Sequence, residues 1–96
     1  MIEFHPLAQD ELQLALAWYR EKSVRAASRF FRGVNEALGR LAVDPSSYPA
    51  VGRRIHYIRV PKFPFVVAYR IRSATDIYIV AVAHTSRRSE DWMGRV

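Results

Sequence analysis

Two periodicities divide the chain. Ile2-Glu3-Phe4 alternates apolar and charged ahead of Pro6, the pattern of a short first strand that proline ends. Ala8, Leu12, Ala15, Leu16 and Tyr19 then fall at i, i+4, i+7, i+8 and i+11, which predicts a helix over roughly 7–21 with one buried face. Asp10 and Glu11 place negative charge in the first turn expected of it, and adjacent helical positions point about 100° apart, so they read as partners of the helix dipole rather than as a catalytic carboxylate pair. A second stripe, Ala27, Phe30, Phe31, Val34, Leu38 and Leu41, follows Ser23, a good N-cap, and is stopped by Pro45. Only Lys22 to Val24 separate the stripes, so an antiparallel helical hairpin is expected. Gly33 and Gly39 each cost the second helix about 1 kcal/mol relative to alanine and read as tolerated weaknesses.

After the turn-rich stretch Asp44-Pro45-Ser46-Ser47-Tyr48-Pro49 and Gly52, the pattern switches to period two. Ile55 to Val60, Phe65 to Arg72 and Ile77 to His84 read as strands, the last two joined by a hairpin-length loop. Phe65, Val67, Tyr69 and Ile71 belong beneath the helices, while Val66, Ala68, Arg70 and Arg72 face away, with Arg59 able to join them. The polar tail from Ser86 to Arg95 is expected to be pinned as a short helix by Trp92. The prediction is a single α+β domain over residues 1–96: an N-terminal strand and a two-helix antiparallel hairpin packed on a three- to four-stranded antiparallel sheet.

Composition narrows the functional classes. The absence of cysteine removes disulfides, thiolate nucleophiles and thiolate metal sites together. The longest apolar runs are seven residues, far short of the roughly 20 that span a bilayer, and no signal-like segment follows Met1; a soluble, cytoplasmic protein is expected. The net charge of +6 is unevenly placed: residues 1–48 carry six Lys/Arg and six Asp/Glu, residues 49–96 nine Lys/Arg and three acids. A polyanionic partner for the second half is implied, either nucleic acid or an acidic protein segment. No helix is expected to offer a concentrated basic face for entry into a nucleic-acid groove.

No glycine-rich phosphate loop, G-x-S-x-G turn or zinc-ligand spacing occurs, and His5, His56 and His84 are isolated in sequence, so neither a metal nor a cofactor is expected. What remains is a basic and aromatic constellation: Arg53, Arg54, Arg59, Lys62, Arg70, Arg72, Arg87, Arg88, Trp92 and Arg95, with His56, Tyr57 and His84 among them. Guanidinium groups grip phosphates or carboxylates bidentately and aromatic rings stack on bases, so the set suits RNA or an acidic peptide equally. Metal-free RNA cleavage would need an acid/base, and His84 with Arg59 and Arg87 is the candidate group.

Phe4-His5-Pro6-Leu7-Ala8 with Glu11-Leu12, Ala15 and Trp18-Tyr19, then F-P-x-V-V-x-Y-R from Phe63 and A-V-x-H-x-x-R-R-x-x-x-W-x-x-R from Ala81, resemble the RelE/ParE toxin superfamily over nearly the whole chain. The resemblance implies the toxin of a type II toxin–antitoxin module, held in a hetero-oligomer by an acidic antitoxin whose C-terminal segment wraps the toxin. Targets differ within the superfamily: one branch cleaves messenger RNA on the ribosome, the ParE branch poisons DNA gyrase. The ribonuclease branch usually carries a basic residue after the third-strand aromatic and a tyrosine or histidine acid near the C-terminus; Val66 and Trp92 stand at those positions here. The ParE-like reading is therefore favoured, with cleavage of messenger RNA as the alternative.

Overall fold

The computed structural model describes residues 1–52 and 54–95. Strand β1 (Ile2–Phe4) leads into helix α1 (Pro6–Lys22), which is followed by α2 (Val24–Val43), a 3-10 turn (Pro45–Ser47), β2 (Ala50–Val51), β3 (Ile55–Arg59), β4 (Phe65–Ser73), β5 (Asp76–His84) and a final short helix α3 (Glu90–Met93). The α+β expectation holds, with two additions: Ala50–Val51 forms a strand, and β1 pairs with β5 in parallel, giving a five-stranded sheet in the order β1-β5-β4-β3-β2. No helix among the described residues is long and apolar enough to cross a membrane.

Local chemistry explains the boundaries. Pro6 opens α1 where its missing N–H costs nothing, and His5 Nδ1 accepts the Leu7 amide at 3.0 Å. Ser23 alone separates the helices; its hydroxyl accepts the Ala26 amide at 3.2 Å while its own N–H donates to Tyr19 O, so one residue closes α1 and caps α2. The hairpin buries Leu12, Ala15, Leu16, Phe30, Val34 and Leu41 against Ile58, Val67, Tyr69, Ile79 and Val82 of the sheet. Phe31, assigned by spacing to the buried stripe, is 47% exposed; Gly33 and Ala37 take the buried positions instead. Tyr69 ties β4 to the 3-10 turn by donating to Pro45 O at 2.5 Å, and burial, with Tyr48 and Asp44 nearby, pushes its phenol up to about 12.

The two helical glycines differ. A Cβ on Gly33 would lie 2.9 Å from Val60 Cγ1, in a valine that is 1% exposed and stiff at χ1, so the glycine is what lets α2 settle on the β3–β4 loop. Gly39 has nothing within 4 Å of such an atom. Gly39→Ala is therefore expected to stabilise the protein by up to about 1 kcal/mol. Gly33→Ala should instead destabilise it, because overpacking of about 1–3 kcal/mol outweighs the same helical gain. Urea midpoints moving in opposite directions from the parent would verify the pair; equal shifts would refute the packing assignment.

The second face of the sheet is not bare. Ile55, Ala68, Tyr78, Val80, Ala81, Ala83 and Trp92 form a smaller core there, with Val51, Tyr57, Val66 and Met93 packed against it. The register of β4 on β5 shifts between Ala68↔Ala81 and Tyr69↔Ile79. This bulge puts Val80 and Ala81 on the same side and turns Val82 to the helices. Trp92, 4% exposed, thus anchors the tail as expected.

Candidate functional site

On the face covered by Trp92, β3 and β4 align Arg59 with Val66, Tyr57 with Ala68 and Ile55 with Arg70, and the pleat therefore sends Arg59, Tyr57 and Arg70 to one side. Arg59, Tyr57, Val66, His84, Thr85, Arg87, Ser89 and Trp92 line a hollow of about 350 Å³. Arg59 from β3 meets His84 and Arg87 from the end of β5 and the tail there. Arg54, His56, Arg70 and Arg72 line another hollow of about 460 Å³. Arg72 is already engaged, its guanidinium 3.8 Å from the Tyr78 ring centre and 3.1 Å from Glu3 Oε1.

Glu11 decides which of the tail arginines remain available. It lies beyond the first turn of α1, so it is no dipole partner; its carboxylate instead accepts two bonds from Arg95, at 2.9 Å each, and one from Arg87 at 2.7 Å. The reason lies in β5. β1 covers β5 only as far as Phe4 opposite Ile79, and the next inward groups, Val82 N–H and Val80 C=O, have no strand beside them. Glu11 Oε1 accepts from Val82 N–H at 3.0 Å and Arg95 Nη1 donates to Val80 O at 3.0 Å, so an ion pair completes the ladder. Burial alone would raise the Glu11 carboxyl, but hydrogen bonds from Arg95, Arg87 and Val82, with the charge of Arg95, hold it below the ordinary 4.5.

The candidate residues therefore separate. Arg95, with a side chain only 12% exposed, is a structural tie, and Arg87, at 36%, is shared between Glu11, Asp91 and the hollow. Arg88 makes one long, exposed contact with Glu90. Lys62 sits on the helical side of the molecule, with Arg29 and Arg32, rather than with the sheet arginines. Arg53 lies outside the described residues. Sequence reasoning gave Glu11 no part in the site, although its role could not be read from neighbours 71 to 84 positions distant.

Proton chemistry in the hollow is limited. His84 Nδ1 accepts the Ser86 amide at 3.0 Å, which places the ring proton on Nε2 and leaves no lone pair there to take a proton. Arg59 and Arg87 are permanent cations. Arg59 and Arg87 can grip an anion there, and His84 Nε2–H can donate a hydrogen bond to it.

A second exposed feature adjoins it. Leu14 (70% exposed) and Trp18 (55%) stand on the outer face of α1, and Ala15, Trp18, Tyr19, Pro64, Phe65 and His84 line an apolar groove of about 300 Å³. His84 thus borders both the cationic hollow and the apolar groove.

The family model of the ParE toxin of the type II toxin–antitoxin system parDE matches residues 2–89. The chain belongs to the ParE toxin family. A solved structure described as a chromosomal ParDE toxin–antitoxin system from P. aeruginosa shares its fold, with a TM-score of 0.67 at 15% identity, covering 86% of this chain and 92% of that one. Comparison with curated proteins gave no match. In this ParE-family toxin the cationic hollow and the α1 groove adjoin one another at His84.

Proposed function

We propose that this type II toxin acts in the cytoplasm by binding DNA gyrase, and that an acidic antitoxin holds it inactive in a hetero-oligomer. The observation that carries the first half is His84: with Nδ1 occupied by Ser86 N–H, the hollow shared with Arg59 and Arg87 binds anions without a base to activate a ribose hydroxyl. The second half rests on juxtaposition. Exposed Leu14 and Trp18 supply apolar anchors next to the hollow bearing Arg59 and Arg87, the groove and hollow sharing His84, which suits an acidic segment that carries apolar side chains.

Cleavage of messenger RNA is the second reading, favoured by the meeting of Arg59, His84 and Arg87 in one hollow of phosphate-binding character. One pair of assays separates them. Near-stoichiometric toxin is expected to block gyrase supercoiling and leave ribosome-bound messenger RNA intact. Intact supercoiling together with A-site cuts that vanish in Arg59→Ala would transfer the assignment to the ribonuclease.

A further inference from the structure

We propose that the outer face of α2, with the β3–β4 turn, is a second site that binds the phosphodiester backbone of nucleic acid, separate from the sheet face and independent of the toxin's target. Arg25, Arg29 and Arg32 follow one another at i, i+4 and i+7 and are exposed, so the helix does present a basic stripe. Arg29, Arg32 and Lys62 surround a notch of about 560 Å³ whose floor includes Gly33 and Phe63. The helical glycine that admits Val60 also keeps this notch open.

Charge balance in space differs from charge balance along the chain. The first 48 residues are neutral by count, yet two of their acids pair with arginines of the second half: Glu3 with Arg72, Glu11 with Arg87 and Arg95. Glu36 at the rim of the notch is bound to Arg40 at 3.0 Å. Among the described residues no acid pairs with Arg25, Arg29, Arg32 or Lys62, so the excess positive charge is gathered on α2 as well as on the sheet.

Lys62 supplies an independent sign of use. Phe63 N–H donates to Val60 O at 3.3 Å, closing a turn with Pro61 and Lys62 at its centre, and Lys62 has φ 67°. That is the third position of a type II turn, where glycine or asparagine is the unstrained choice. A lysine in a left-handed conformation, in a notch with two arginines that no acid pairs among the described residues, points to a bound anion.

The ligand class follows from what the notch lacks. Phe63 is committed to edge contacts with Tyr19 and Phe30, at 5.1 and 5.2 Å between centroids, and offers no seat for a peptide's apolar anchor. The exposed apolar side chains Val24 and Phe31 of α2 line a separate hollow with Leu16 and Arg20 and not the notch, and Leu14 and Trp18 are on α1. Arg29, Arg32 and Lys62 therefore supply the affinity of the α2 face, in the sequence-independent mode of binding to a phosphate backbone. Since the sheet lies between the two basic surfaces, an occupant of one leaves the other open.

The test is fluorescence anisotropy of the full-length chain with short labelled RNA and DNA strands of equal length across about 50–200 mM salt. The triple variant Arg29→Gln/Arg32→Gln/Lys62→Gln is expected to bind about tenfold or more weakly, with the log–log salt slope reduced by about 2, at roughly 0.7 per lost contact. Arg29→Lys/Arg32→Lys should keep the slope, and the loss in the triple variant should persist when Arg54→Gln/Arg70→Gln also removes the sheet's own anion contacts. Equal loss for RNA and DNA supports a backbone site, and loss for RNA alone supports the same site with RNA as its source. The proposal is overturned by no binding at low salt, by binding that only the sheet variant reduces, or by strands displaced by poly-glutamate but not by polyphosphate. Gyrase inhibition plays no part in these readings.

Discussion

Glu11→Ala is expected to lower the stability of the toxin by about 3 kcal/mol, the low end for removing one partner of a buried ion pair. Glu11 and Arg95 are only 14% and 12% exposed at their side chains, so the remaining guanidinium cannot fully recover its hydration. The change also orphans Val82 N–H, whose only strand neighbour on that side would have been a longer β1. For a domain of this size the melting temperature should fall by roughly 12–24 °C. Arg87, at 36% exposure, regains water, so the loss falls mainly on Arg95. Glu11→Gln should be milder, since an amide still meets Val82 N–H. A drop under 1 kcal/mol for Glu11→Ala would show that the tail does not depend on the tie.

The same carboxylate gives the fold an acid limit. Its value is held below the ordinary 4.5, so the unfolded chain takes up a proton first as pH falls. The stabilisation is complete above about 4.5 and disappears as pH falls through the lower folded value. Thermal midpoints measured downward from neutral pH should be governed by this group below that point, and Glu11→Ala should flatten that part of the profile.

Trp92→Ala should cost about 3 kcal/mol as well, by a different route. Trp92 is 4% exposed and is, with Tyr78, one of two large aromatics buried in the smaller core, where it packs with Ala68, Ala81 and Ala83. Removing a buried tryptophan costs about 3–5 kcal/mol, and the lower value applies because α3 is four residues long and free to collapse inward. Trp92→Phe should recover much of the loss. Emission resolves the site from the whole fold, because the other tryptophan, Trp18, is 55% exposed: the variant should lose the blue-shifted component before denaturant is added. Persistence of that component, or near-parental stability, would remove Trp92 as the anchor.

How far these features can be read from the residues depends on the distance over which each is determined. Helix stripes and alternating strands are local, so the hairpin, the three long strands and the pinned tail follow from spacing. Phe31 shows where spacing blurs: at the border of the stripe it is indistinguishable from Phe30, and only packing selects Gly33 and Ala37 for the interior. The bulge at Val80 and Ala81 has no signature among residues that are all small and apolar. The candidate site could be written down as a residue inventory, of which Arg59, His84 and Arg87 line one hollow. Its division into available and committed arginines was not legible, because Glu11 acts across 76 and 84 positions. Counting charge by halves treats sequence neighbours as spatial ones, which concealed the stripe on α2.

The tie between Glu11 and Arg95 also bears on self-association. A strand edge with free amides and carbonyls invites pairing with another chain. Along β5 that invitation is withdrawn beyond Phe4, where side chains from α1 and the tail occupy Val82 N–H and Val80 C=O. On this side of the sheet, among the described residues, a second molecule finds the three residues of β1 to extend. Protonating Glu11 would free a longer ledge while the sheet itself is still formed, so acid would promote aggregation through intact molecules rather than through unfolded ones.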